Sequence, residues 1–217
     1  MSPGKGILEE ISQNLIKGNA DGVKELTEKA IGQDIPAVEI LDDGLVNGMN
    51  VVGEKFKNNE FFIPEVLISA RAMKAGMNLI KPLLVKAKVK SRGKVIIGTV
   101  RGDLHDIGKN IVAMMLEGSG FDVINMGTDV TVEMIMAEMD KGPVDVIGLS
   151  ALLTTTMVYM KDVVDTLKEA GMKERVKVIV GGAPITQAYA DEIQADGYAP
   201  DAASSVDLVD GLMNITN

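Results

Sequence analysis

The chain has 217 residues, of which 46% are hydrophobic and 24% charged, as expected for a globular protein of one or two domains. Its net charge of −9 argues against nucleic acid as a partner, because nucleic-acid-binding proteins usually present a basic face. The lack of cysteine excludes disulfides and a cysteine nucleophile, and one histidine leaves too few ligands for an ordinary zinc site. No apolar run is long enough to span a bilayer and no signal-peptide pattern is present, so we expect a soluble, cytoplasmic protein without a membrane partner.

The N-terminal part of the chain is predicted to be helical, because its apolar residues recur at spacings of three and four. Asp21 is predicted to cap the second helix, and Pro36 and Pro64 to lie in the first turns of the third and fourth helices. Four amphipathic helices with short connections indicate an antiparallel four-helix bundle spanning residues 1–87. The basic segment 85–93 is predicted to be an interdomain linker.

Beyond the linker, short β-branched runs alternate with helical segments, which is typical of βαβ units and a parallel sheet. The strands are predicted at 94–100, 121–127, 144–150 and 176–182, and the helices at 108–118, 131–140, 156–170, 185–195 and 203–214. We therefore expect residues 88–217 to form an α/β domain with a flavodoxin-like (Rossmann-like), doubly wound parallel sheet of about five strands. Such sheets bind ligands at the carboxyl ends of their strands.

The only histidine, His105, lies in "VRGDLHDIGKN", just past the carboxyl end of the first predicted strand. No GxGxxG or Walker pattern follows that strand, so dinucleotide and P-loop chemistry are not indicated. A histidine in such a turn can be a capping residue. However, Asp103 is near enough in sequence to accept the N–H of an imidazole that ligates a metal. With one histidine, the other ligands of such a metal would have to come from elsewhere, and a macrocyclic cofactor would supply them.

Three motifs at the predicted strand ends resemble those of cobalamin-binding domains. The segment Asp103–Gly108 matches D-x-H-x-x-G, Ser150–Leu152 matches S-x-L, and Gly181–Gly182 matches the G-G pair that follows the fourth strand. Residues 47–74 resemble the helical cap of the same family, so the resemblance covers nearly the whole chain. The chain is similar to the corrinoid proteins of methyltransferase systems and to the cap and cobalamin-binding domains of methionine synthase.

The resemblance implies a cofactor, cobalamin or a related corrinoid, which is methylcobalamin in the loaded state. His105 would replace the dimethylbenzimidazole of the cofactor as the lower axial ligand of cobalt (base-off/His-on), and Asp103 and Ser150 would form a relay behind it. Asp106 is expected to be a negative charge at a helix N-terminus. The further residues implied to bind the cofactor lie in the His105 loop, at the strand ends, in the segment 196–202 and in the cap: Leu104, Asp106, Ile107, Gly108, Leu152, Thr154, Gly181, Gly182, Tyr198, Phe56, Ile63 and Val66.

Some of these assignments have structural alternatives. Phe56, Ile63 and Val66 align with positions that shield the upper cobalt face in methionine synthase, and they can equally be bundle core. Gly108 and the pair Gly181–Gly182 suit a slot for the nucleotide tail of the cofactor, because glycine leaves room for it. They can equally belong to ordinary strand-to-helix turns.

The resemblance implies a carrier subunit of a demethylase system rather than a complete enzyme. Its partners would be a substrate-specific methyltransferase, a second methyltransferase that uses tetrahydrofolate or a thiol such as coenzyme M, and a reductive activase. The methyl donor stays open among phenyl methyl ethers, methylamines, methanol and betaines. The alternatives are a cobalamin-dependent sensor, against which the lack of tryptophan and of a DNA-binding domain argues, and a mutase subunit, which usually has no helical cap.

Overall fold

The structure is a computed structural model that describes residues 3–87, 89 and 91–215. It divides into two compact units, Met1–Lys90 with Gly118–Gly120, and Ser91–Glu117 with Phe121–Asn217. None of the helices in the described ranges is both long and apolar enough to cross a membrane.

The first unit is helical. Its elements are α1 (Pro3–Ile16), α2 (Ala20–Gly32), α3 (Ala37–Glu39), a π-helical segment (Ile40–Val46), α4 (Asn47–Lys57) and α5 (Ile63–Lys86). The apolar stripes read from the sequence are buried as predicted, and their fully buried members include Ile11, Leu15, Val23, Ile40, Leu45, Val52 and Ile80. The core is therefore aliphatic, as the low aromatic content required.

Two local details of this unit differ from the prediction. The N-terminal cap of α2 is Asn19, whose side chain accepts a hydrogen bond from the Gly22 N–H at 3.2 Å, and Asp21 lies inside the first turn. The prediction of Asp21 as the cap is wrong because an asparagine two residues earlier supplies the oxygen. Pro36 immediately precedes α3, and the third predicted helix contains the π-helical segment in its middle.

The predicted linker 85–93 is shorter in the structure than in the prediction. Helix α5 continues through Lys86, and Arg92 is held against the second unit, because it forms an ion pair with Asp210 at 3.0 Å and lies over the Phe121 ring. Residues 88 and 90 of the linker lie outside the described residues.

The second unit is a parallel sheet with helices. Its strands are β1 (Lys94–Thr99), β2 (Asp122–Asn125), β3 (Val146–Ser150), β4 (Lys177–Gly181) and β5 (Gly197–Tyr198), in the order β2-β1-β3-β4-β5. Its helices are α6 (Ile107–Gly118), α7 (Val132–Met139), α8 (Tyr159–Glu169), α9 (Gln187–Glu192) and α10 (Ala202–Leu212). This is the flavodoxin-like order, and it confirms the predicted doubly wound parallel sheet.

The sequence did not predict the residues of the fifth strand or the start of α8. The fifth strand has two residues, Gly197 and Tyr198, which pair with β4 and carry too little apolar pattern to be recognised alone. The helix predicted at 156–170 begins only at Tyr159, because residues 152–157 form bends and turns. The N–H groups of Leu152 and Leu153 in that turn donate to Asp103.

Candidate cofactor site at the carboxyl ends of the strands

The candidate site lies where β1, β3 and β4 end together. The sheet register pairs Thr99 with Ser150 and Ser150 with Gly181, so the three predicted motifs follow directly from adjacent strand ends. The His105 loop connects β1 to α6, and Asp106 immediately precedes the first residue of that helix. The parallel topology therefore brings together segments that are about 50 and 80 residues apart in sequence.

Asp103 is the anchor of this loop and is fully buried. Its Oδ1 accepts from the His105 N–H at 3.1 Å and lies 2.8 Å from His105 Nδ1. Its Oδ2 accepts from the N–H of Leu152 at 2.8 Å, the N–H of Leu153 at 3.3 Å and the hydroxyl of Thr156 at 2.7 Å. Burial alone would raise the pKa of Asp103. The hydrogen bonds from Leu152, Thr156 and His105 outweigh that effect and hold the pKa well below the usual range of an aspartate.

The His105 ring is held by a hydrogen bond and is also accessible to solvent. Because the Asp103 carboxylate can only accept, the proton of a neutral His105 ring lies on Nδ1, and the lone pair lies on Nε2. The side chain is 52% exposed, although its partner is fully buried. The main-chain carbonyl of His105 accepts from the Thr99 hydroxyl at 2.8 Å, which ties the loop to the end of β1. This arrangement is the one expected of a metal-ligating imidazole with a carboxylate behind it.

The hydroxyl that reaches Asp103 belongs to Thr156 and not to Ser150, so the predicted relay from Asp103 to Ser150 is not made among the described residues. Ser150 is the last residue of β3, and its direct sheet partners are Thr99 and Gly181. Thr156 lies farther along, where the 152–157 turn folds back over Asp103. The three consecutive threonines of "SALLTTT" signal a hydroxyl, but the spacing alone cannot select among them. Thr154, the residue predicted to contact the nucleotide tail, is exposed.

Apolar side chains next to His105 face solvent. Leu104, in the loop, is 74% exposed, and Ile107, the first residue of α6, is 69% exposed. Leu152, from the turn after β3, is 43% exposed although its N–H is bound to Asp103. Large exposed apolar groups at a strand-end crevice mark a surface that a partly apolar ligand covers.

The three predicted glycines differ in how much room the fold leaves for a side chain. A Cβ on Gly108 would meet nothing within 4 Å, so open space lies in front of it. Gly182 has φ +125°, and a Cβ there would lie 1.9 Å from the Ala151 carbonyl oxygen, so the fold itself requires glycine. A Cβ on Gly181 would lie 3.1 Å from the Ala199 carbonyl oxygen. The fold itself thus requires glycine at position 182, whereas no neighbouring atom requires it at position 108.

The remaining predicted residues lie away from His105 in the sequence. Tyr198 is half-buried on β5 and packs against the sheet core. In the helical unit, Phe56 is half-buried on α4 and Ile63 is 41% exposed at the start of α5. Val66 is fully buried, so it offers no surface to a ligand in this structure and fits the alternative of a core residue.

Comparison with known proteins gives the same two parts. Residues 93–207 match a family model described as a B12 binding domain, and residues 7–81 match a second model with that description. The fold, the histidine loop and both matches define a cobalamin-binding chain with a helical cap and a Rossmann-like domain.

Named relatives narrow this class. A corrinoid protein of Desulfitobacterium hafniense is 43% identical over 210 residues, which cover 95% of this chain and 97% of that protein. Dimethylamine corrinoid protein 3 of Methanosarcina acetivorans is 43% identical over 202 residues, which cover 93% of this chain and 94% of that protein. The crystal structure of the methanol:cobalamin methyltransferase complex MtaBC from Methanosarcina barkeri matches with a TM-score of 0.87 and 32% identity, covering 98% of this chain and 81% of that chain. The chain belongs to the corrinoid proteins of methyltransferase systems.

The residues present fit a corrinoid cofactor. His105 offers one nitrogen lone pair on an exposed ring, and exposed Leu104 and Ile107 flank it as a flat macrocycle would require. Gly108, the next residue of α6, has open space where a side chain would be. One exposed histidine can supply one ligand to a metal whose other ligands come from the cofactor.

Proposed function

We propose that the chain is a methyl carrier that holds its corrinoid base-off/His-on, with His105 as the lower axial ligand. One observation carries this proposal: an exposed imidazole has its Nδ1 bonded to a fully buried carboxylate, so Nε2 is the ring nitrogen whose lone pair can bind a metal. The bound corrinoid supplies a cobalt ion that accepts a methyl group and gives it up. The protein's own residues determine how the lower ligand is presented.

Asp103 has two tasks in this proposal. As a carboxylate it keeps the proton of His105 on Nδ1, so that the lone pair is always on the nitrogen that faces the ligand. It also holds the ring in one orientation, whether or not Nε2 holds a metal. The hydrogen bonds from Leu152 and Thr156 keep Asp103 ionised through both situations.

The names of the relatives support the proposed methyltransferase partner. One structural relative is the methanol:cobalamin methyltransferase complex MtaBC, and several relatives are dimethylamine corrinoid proteins. We therefore propose a substrate-specific methyltransferase as the first partner and a methylated amine as the donor class. A second methyltransferase, to tetrahydrofolate or coenzyme M, and a reductive activase complete the proposed system.

The test uses the fact that His105 is the only histidine. Purified protein is reconstituted with methylcobalamin, and its absorption spectrum is recorded from pH 5 to 8 beside that of His105→Ala. We expect the variant to lose the His-on spectrum and free imidazole to restore it, because no other imidazole competes. A variant spectrum equal to that of wild type across this range would refute the assignment.

A further inference from the structure

A lysine lies buried in the first turn of α6, a few residues after His105. Lys109 is 2% exposed, and its ammonium has amide oxygens as hydrogen-bond partners: Asn110 Oδ1 and Asn125 Oδ1, each at 2.6 Å. The place is unfavourable to a cation in two ways, because burial removes its hydration and a helix N-terminus is electropositive. Burial accordingly lowers the pKa of Lys109, and the charge of Asp106 opposes that effect. A lysine buried at this cost in free energy is expected to have a role that a neutral side chain would not fill.

The hydrogen bonds around Lys109 run in one direction. An ammonium can only donate, so both asparagines must turn their oxygens toward it. Asn125 then donates through Nδ2 to Asn110 Oδ1 at 2.9 Å, and Asn110 donates through Nδ2 to Asp106 Oδ2 at 2.9 Å. The chain therefore begins at a buried cation and ends at the carboxylate next to His105. Replacing the cation removes the reason for either amide to keep its orientation.

The same chain joins the His105 loop to the edge of the sheet. Asn125 is the last residue of β2, and its Oδ1 also accepts from the Gly127 N–H at 3.1 Å. The Gly127 carbonyl accepts from the Thr99 N–H at 3.0 Å, and the Thr99 hydroxyl donates to the His105 carbonyl. Asp103 holds the loop from the β3 side, and the Lys109 chain holds it from the β2 side.

We propose that Lys109 is a positioning residue that orients Asn110 and Asn125 and thereby fixes the 104–108 part of the loop in its ligand-presenting conformation. The inference rests on the proposed function only for the role of His105. Lys109 acts through the two amides and Asp106, and its requirement is for a donor-only cation rather than for bulk.

The first test compares Lys109→Met with wild type and with Lys141→Met, an exposed lysine in the same unit. Methionine keeps the length and the apolar stem and removes the charge and donors. In the protein without cofactor, we expect amide hydrogen exchange at His105 and Asn110 to rise about tenfold while the central strands keep their protection. With methylcobalamin as the probe, we expect the Kd to rise about tenfold and the His-on fraction in the spectrum to fall. Lys141→Met should change none of these.

A second variant keeps the inference testable if Lys109→Met does not fold. Asp106 is exposed, so Asp106→Ala removes the far end of the chain and a charge that favours the Lys109 cation without opening a buried cavity. It should accelerate exchange at the same two amides, and the double variant should add little to the larger single effect, because both changes break one chain.

Equal exchange and equal methylcobalamin affinity in Lys109→Met and wild type would overturn the inference, and so would a uniform loss of protection across the sheet, which would indicate simple core packing. The proposed function fails in a different way, through a wild-type spectrum that does not depend on His105.

Discussion

The Thr156 hydroxyl makes the shortest of the hydrogen bonds to Asp103, at 2.7 Å, and it is a direct probe of the site. Thr156→Val keeps the shape of the side chain and removes the donor. A hydrogen bond to a charged group contributes about 1.5–3 kcal/mol to stability. Taking about 2 kcal/mol, the loss corresponds to a rise of about 1.5 units in the Asp103 pKa, at 1.36 kcal/mol per unit.

The assay is urea unfolding of the protein without cofactor at pH 7, combined with an NMR titration of the Asp103 carboxyl carbon. Thr155→Val is the matched control, because Thr155 is exposed and belongs to the same run of threonines. Thr156→Ser keeps the hydroxyl and should retain most of the stability. If Thr156→Val were no less stable than Thr155→Val and left the Asp103 titration unchanged, the proposed anchoring of Asp103 by Thr156 would be refuted.

Two further outcomes follow from the same geometry. Because the pKa of Asp103 is lower in the folded than in the unfolded protein, its contribution to stability is complete above its unfolded pKa, about 3.9, and is lost as the pH falls toward the folded value. Asp103→Asn should be less stable than wild type at pH 7. Its urea midpoint should nevertheless fall less than that of wild type between pH 7 and 2.5. Gly182→Ala should destabilise the fold by about 3 kcal/mol or more, since its Cβ would overlap the Ala151 carbonyl. Gly108→Ala should change the stability without cofactor by less than about 1 kcal/mol and weaken methylcobalamin binding instead. Thermal unfolding and a binding titration of both variants check this, and equal stability losses would contradict it.

Much of the fold is local enough to be predicted from the sequence. Strands β1, β3 and β4 are buried apolar runs between helical patterns, and β2 is a partly exposed edge strand. Each of the four falls within its predicted range, because its pattern lies in its own residues. Strand β5 escaped prediction because its two residues are defined by pairing with β4 rather than by their own pattern. The Asn19 cap was missed because both Asn19 and Asp21 are residue types that cap helices. The π-helical segment was missed because the same apolar spacing fits an α-helix and a π-helix.

The candidate site divides in the same way. Asp103 and His105 are two residues apart, so their pairing is a local property of the loop, and the sequence by itself determined it along with the cofactor class. Thr156 is 53 residues from Asp103, and only the parallel register of β1 and β3 brings the turn after β3 over that carboxylate. Tertiary structure alone likewise decided that Lys109 is buried beside Asn125. Contacts between strand ends depend on sheet order and register, and these are fixed by packing over the whole domain rather than by neighbours in sequence.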